Sequence, residues 1–303
     1  GGMQLFRTEF SENEKALPRA AAFATQLALV YIGLTLLCMM AYGIAGMPIF
    51  DALCHAMTTL ATGGFSTSDQ SLGLFNQLDI EMIAVIFMIA GSVPFVLFVH
   101  AVNGRPGALW RDHQVHGYLT FLILVVGLIA LHLIQSGGLS ISEAFRQSSF
   151  NVLSILSGTG YATQNYYLWG TFANMVFLFI MMVGGCAGSA TCGIKIFRFQ
   201  ILGQVAKAQL RKLIYPNGVF TPKYNRKPLS RDIYASVTSF FFVYAVCFAV
   251  IAALLSMTGL DFITAFSGTA ATLSNVGPAL GEMIGPTGTY QAVPIGAKWI
   301  MIA

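Results

Sequence analysis

The amino-acid sequence predicts an all-α polytopic membrane protein, built of tandem helix–pore loop–helix repeats around a central pore. Composition is the first observation. Hydrophobic residues make up 56% of the 303 residues and charged residues 9%, with a mean hydropathy of +0.71. A soluble domain carries about 25% charged residues. The second observation is length: apolar runs near 20–46, 79–101, 117–136, 171–194 and 234–258 are long enough to cross a hydrocarbon core of about 30 Å, and another begins at 294–303. The third is repetition. The segments TTLATGGFST at 58–67, SILSGTGYAT at 154–163 and TLSNVGPALG at 272–281 align on Gly64, Gly160 and Gly277. Each follows a stretch too short to span.

The first such stretch, 50–61, is amphipathic, with Asp51 placed to cap a helix. A helix of that length rises about 18 Å, which enters a membrane without crossing it. Ser142 or Glu143 lies near the start of the second descending segment and Asp261 near that of the third. Charge supports a re-entrant path. The segments 47–78, 137–170 and 259–293 hold one basic residue, Arg146. The intervening segments hold Arg7, Lys15, Arg19, Arg105, Arg111, Lys207, Arg211, Lys212, Lys223, Arg226, Lys227 and Arg231. Basic loops stay cytoplasmic, so the glycine turns open outward. If the short segments crossed, the basic ends would fall on opposite sides.

Non-helical backbone at membrane depth must be buried in protein or line water. The three turns are therefore expected to face a pore. No Asp or Glu lies in any of the three aligned segments. Selection is then expected from carbonyl dipoles around Thr62, Gly63 and Gly64, Gly158, Thr159 and Gly160, and Asn275, Val276 and Gly277. Glycine permits the left-handed backbone such a lining needs, and each short helix aims its negative end at the site.

Residues 171–183 are strongly apolar and give way to GGCAGSATCG at 184–193, then to a basic helix from Ile194 to Ile214. Thirteen residues rise only about 20 Å, so this stretch lies inside the bilayer. Gly184, Gly185, Gly188, Ser189 and Gly193, with Lys195 beyond them, are expected to form an intramembrane gating loop; Gly184 and Gly188 also fit a GxxxG packing motif. Lys195 and Arg198 are expected to snorkel to the cytoplasmic interface or, with the loop closed, to raise the barrier to cations. The five histidines and five cysteines show no metal spacing and no CxxC pair. No nucleophile and base are paired within the spans, so an enzyme is not expected. Neither is a cofactor, a transition-metal site or a nucleic-acid partner.

These motifs carry a family resemblance. The three turns together with GGCAGSATCGIK at 184–195 resemble the TrkH subunits of bacterial Trk potassium uptake systems, within the wider Trk/Ktr/HKT superfamily. The opening GGMQLFRTE at 1–9 is also similar, and the resemblance covers nearly the whole chain. It implies four repeats around a pore, with backbone oxygens at the nine turn residues binding K+, the transported ion. It further implies a homodimer with one pore per protomer, cytoplasmic TrkA-type nucleotide-binding subunits as partners, and a place in the bacterial cytoplasmic (inner) membrane. On this frame 1–19 is a cytoplasmic segment and 20–103 a second repeat. Residues 104–232 form a third repeat with a broken return helix and a cytoplasmic connection, and 233–303 a shortened fourth. The chain starts without Met or a signal-peptide pattern and reads as an internal fragment. A sodium-permeable or cation-symporting member of the superfamily, or a secondary transporter with discontinuous helices, is the alternative expectation.

Overall fold

The computed structural model describes residues 16–224 and 227–302. The opening motif with Arg7 and Lys15, the pair Asn225 and Arg226, and Ala303 lie outside the described residues, as do the side chains of 16–21 and Lys227. The expected cytoplasmic segment 1–19 therefore falls almost wholly outside them.

A long helix, a short helix, a glycine turn and a further helix recur along the chain. The first set is α1 (Ala16–Ile44), α2 (Ile49–Leu60) and the bent pair α3 (Leu78–Ser92) and α4 (Phe95–Val102). After the one-turn helix α5 (Gly107–Arg111) come α6 (His113–Gly137), α7 (Ile141–Leu156) and α8 (Thr171–Met181). A loop then leads into α9 (Ile196–Ile214). The last set is α10 (Arg231–Met257), α11 (Phe262–Leu273) and α12 (Ile295–Ile302). Among the described residues α1, α6 and α10 are long and apolar enough to cross a membrane, and α3 with α4 makes a fourth span if taken together. Leu36 and Met40 on α1 and Phe242 and Val250 on α10 are exposed apolar side chains. The buried core lies instead around the short helices and turns, with Tyr42, Tyr118, Tyr161 and Tyr166 fully enclosed.

Helix starts follow local chemistry, with one correction to the sequence reading. Asp261 caps α11 as expected, accepting from Thr264 N at 3.2 Å. Asp51 is not a cap: α2 begins two residues earlier, after Pro48, whose fixed φ suits a helix entry. Asp51 Oδ1 instead accepts from Thr67 Oγ1 at 2.7 Å, tying α2 to the segment leaving the first turn. The second short helix has Ser142 and Glu143 in its first turn, as expected, and is capped by Ser140, whose hydroxyl accepts from Glu143 N.

The apolar run expected to cross at 79–101 is broken. Between Ser92 and Phe95 the chain turns through 96°. Pro94 has no N–H and its ring obstructs the preceding turn, so the ladder stops there. The break leaves the carbonyls of Gly91 and Ser92 without helical partners, and a loop described below takes them up.

Arg146, the one basic residue in the three turn-bearing segments, pairs with Glu81 at the start of α3. Its Nε and terminal nitrogen donate to the two carboxylate oxygens at 2.8 Å each, and a further donation reaches Asn76 Oδ1 at 3.3 Å. Glu81 is buried while a third of the Arg146 side chain stays accessible. Removing one partner strands the other charge. Arg146→Met is therefore expected to destabilise the fold by about 1–3 kcal/mol, below the fully buried case because Arg146 is partly wet. Thermal unfolding in detergent checks this: Arg146→Met lowers the midpoint, and adding Glu81→Leu recovers most of it.

Candidate functional site: three glycine turns and an intramembrane loop

The turns share one backbone design. Thr62, Gly158 and Asn275 have φ of 51°, 72° and 53°, and Gly64, Gly160 and Gly277 have φ of 66°, 81° and 98°. The residue between each pair (Gly63, Thr159, Val276) is outside the left-handed region. This alternation turns successive carbonyls to one side of the chain. The amides point back. Gly63 N, Thr159 N and Val276 N donate to the carbonyls of Thr58, Ser154 and Ala271 at 2.8, 2.9 and 2.8 Å. Thr62 N, Gly158 N and Asn275 N likewise donate to Thr59 O, Ile155 O and Thr272 O at 3.2, 3.0 and 3.1 Å. Each turn thus uses its N–H groups to satisfy the orphan carbonyls at the end of its own short helix. Of the carbonyl oxygens at 62–64, 158–160 and 275–277, only that of Gly277 accepts a hydrogen bond from a described residue, Tyr290.

The turns pack side by side in a rotational sequence. A Cβ on Gly64 would lie 1.7 Å from Thr159 O, and one on Gly160 would lie 2.1 Å from Val276 O. The third residue of one turn therefore abuts the middle carbonyl of the next, twice in the same sense. Free carbonyls converging with three negative helix ends, and no carboxylate among them, can replace the hydration shell of a monovalent cation.

The sequence did not announce the supports behind the turns. Thr58 Oγ1 donates to Phe65 O at 2.8 Å and Ser154 Oγ to Tyr161 O at 2.7 Å, two braces at matching positions. The Tyr161 hydroxyl reaches back into the first unit, 2.5 Å from Thr58 Oγ1 and 3.2 Å from His55 O. Tyr42 OH adds a 3.0 Å bond to Thr59 Oγ1. His55, fully buried, spans Asp51 O at 2.8 Å and Ser66 Oγ at 2.9 Å. Neighbouring turns are thereby locked together by side chains that do not face the carbonyl side. A Thr or Ser six residues before Gly64 and Gly160 is the signal that was available for the two braces.

The small-residue stretch forms a closed loop. At its neck Val183 and Gly184 pair in parallel with Ile194 and Lys195, a two-residue ladder that delays the next helix to Ile196. A Cβ at Gly184 would lie 1.9 Å from Cys192 O, so only glycine allows the neck to close. The loop docks on the α3–α4 break. Cys186 N and Ala190 N donate to Ser92 O and Gly91 O, both at 3.0 Å, and Phe95 N donates to Gly188 O at 3.1 Å. Gln114 Oε1 accepts from Ala187 N at 2.9 Å. The far side of the loop meets the turns: Asn275 Nδ2 donates to Cys192 Sγ at 3.4 Å, and Gly158 stands over the Cys192 amide. The Lys195 ammonium folds back onto the loop and donates to the carbonyl and the hydroxyl of Thr191. Arg198 lies with its guanidinium carbon 3.6 Å from the centre of the Phe240 ring. Among the described residues no His, Cys, Asp and Glu side chains gather as a metal site.

Residues 1–303 match the family described as TrkH, cation transport protein. The chain belongs to the TrkH family. It is 43% identical over 303 residues to the Trk system potassium uptake protein TrkI of Halomonas elongata, covering 99% of this chain and 61% of that protein. It is 36% identical over 309 residues to the Trk system potassium uptake protein TrkH of Vibrio parahaemolyticus, with 100% of this chain and 63% of that protein covered. The crystal structure of the potassium transporter TrkH from Vibrio parahaemolyticus matches with a TM-score of 0.89 at 35% identity, over 94% of this chain and 61% of that one. The chain thus spans 61–63% of the length of these relatives. The family and the fold agree: this is a helical multi-pass membrane protein of a bacterial transporter family, not of an enzyme family.

Proposed function

We propose that this chain forms part of a potassium uptake protein of a Trk system, conducting K+ across the bacterial cytoplasmic membrane through a channel-like pore. The observation that carries the reading is the threefold repeat of left-handed positions and amide anchoring, which leaves eight of the nine turn carbonyls without a donor among the described residues, in segments that hold no carboxylate. In this reading the backbone oxygens of Thr62–Gly64, Gly158–Gly160 and Asn275–Gly277 are the ion ligands. The segments 20–103, 104–232 and 233–303 are three of four repeats, the remaining one lying in the part of the relatives that this chain does not span. The loop 184–193 is the gate beneath them, supported by its contact with Asn275 and Gly158. A homodimer, and TrkA-type subunits seated against the basic end of α9 around Lys207, Arg211 and Lys212, complete the proposed assembly.

The test is growth. A complete subunit carrying this sequence, expressed in a strain without its own potassium uptake, is expected to restore growth at low K+. Competing Na+ is expected to leave uptake nearly unchanged. Absence of rescue despite full membrane expression contradicts the reading, and equal inhibition by Na+ replaces it with a sodium-permeable pore.

A further inference from the structure

The third turn is built differently from the other two. Behind the first and second turns a hydroxyl six residues before the glycine braces the carbonyl one residue after it, Thr58 to Phe65 and Ser154 to Tyr161. The matching position in the third is Ala271, which has no hydroxyl, and the carbonyl to be braced belongs to Pro278. The exit of that turn is fixed farther along, where Ser267 Oγ accepts from Leu280 N at 3.0 Å and Ala279 N donates to Ile284 O at 2.8 Å. Between these anchors the Tyr290 hydroxyl donates to Gly277 O. Tyr290 opens a short 3-10 helix closed by Val293 N donating to its carbonyl at 3.2 Å, which leads directly into α12.

We infer that Tyr290 is a positioning residue that sets ion selectivity, clamping the Gly277 carbonyl in place of the hydroxyl brace the third turn lacks. The inference rests on the carbonyl-filter reading and deepens it. The clamp differs in kind from the braces it replaces. Thr58 and Ser154 hold carbonyls beyond the turn, whereas Tyr290 holds one within the row of proposed ligands. A carbonyl that already accepts from a hydroxyl offers an ion one remaining lone pair in a restricted direction. The site at this level is then asymmetric, with Gly64 O and Gly160 O free and Gly277 O held. A held ligand cannot follow a smaller ion inward, so the clamp penalises Na+ relative to K+.

The experiment is ion flux into proteoliposomes holding the complete subunit, with K+, Rb+ and Na+ as the probes. Tyr290→Phe keeps the ring and removes only the donor. The expected result is a fall in the K+/Na+ permeability ratio of roughly two- to tenfold, the scale of one hydrogen bond. Total protein in the membrane stays unchanged. Ala271→Ser, added to Tyr290→Phe, supplies a hydroxyl placed to brace Pro278 O, as in the other turns, and not Gly277 O; the double variant is therefore expected to keep the lowered ratio, while Ala271→Ser alone keeps the original one. Should the single variant not reach the membrane, the double variant is compared with Ala271→Ser alone, and an equal ratio in those two overturns the inference. An unchanged ratio in Tyr290→Phe overturns it as well. Gly160→Ala, measured alongside, separates the two levels. If it abolishes flux while Tyr290→Phe is silent, the clamp fails and the filter stands; if Gly160→Ala conducts normally, the filter reading itself fails.

Discussion

Replacing Gly160 by alanine is expected to abolish ion conduction while leaving the protein folded in the membrane. Two independent costs meet at this residue. Its φ of 81° lies in the left-handed region, where a Cβ costs about 1–2 kcal/mol. The added carbon would also stand 2.1 Å from Val276 O and 2.7 Å from Pro278 Cδ. Backbone cannot absorb that overlap as a long side chain would, so the middle carbonyl of the third turn must move. Misplacement by about 1 Å at a preorganised site costs on the order of a hundredfold, and flux is expected to fall by at least that much. Gly64→Ala, with Thr159 O at 1.7 Å, is expected to behave alike. Gly33→Ala on α1 is the control, since nothing lies within 4 Å of its Cβ position and its φ is ordinary. Flux through proteoliposomes, normalised to the folded fraction, checks the series.

Shortening the loop by deleting residues 187–190 is expected to raise basal flux. That segment supplies the Ala190 N bond to Gly91 O, the Gly188 O acceptor for Phe95 N and the Ala187 N bond to Gln114. Three hydrogen bonds at about 0.5–1.5 kcal/mol each hold the loop, two against the α3–α4 break and one against α6. Losing them shifts the balance between docked and undocked loop, and basal K+ flux is expected to rise by roughly ten- to a hundredfold. Gly184→Ala acts in the same direction by prising the neck away from Cys192 O. If flux is unchanged or falls in both variants, the loop serves packing and not closure.

The parts of this architecture that repeat were legible in the sequence. Short amphipathic stretches, glycine turns and the small-residue loop each carry a local composition signal, and Asp261 declared its helix start directly. What escaped depends on partners far along the chain. The run at 79–101 is apolar throughout, so hydropathy alone makes it one span; Pro94 after Gly91 and Ser92 was the only sign of a break. That break was legible as a proline but not as a dock, because the atoms it frees are backbone carbonyls and carry no residue type. Asp51 was misplaced for a similar reason. Pro48 starts the helix without needing a side-chain acceptor, and the carboxylate is left for Thr67 across the turn. Lys195 gave no sequence sign of its contact with Thr191, since the basic helix that follows it is the stronger local signal. Tyr290 gave no signal at all, since its role appears only when Ala271 is compared in space with Thr58 and Ser154.

The central claim is that the carbonyls of the three turns are the ligands of a selected cation. Anomalous diffraction from crystals of the complete subunit grown with Rb+ or Tl+ tests it most directly. The account predicts anomalous peaks on the carbonyl side of the turns, level with Thr62 to Gly64, Gly158 to Gly160 and Asn275 to Gly277, and their loss in Gly160→Ala. Turns that stay empty of anomalous signal in a protein that conducts Rb+ would contradict it.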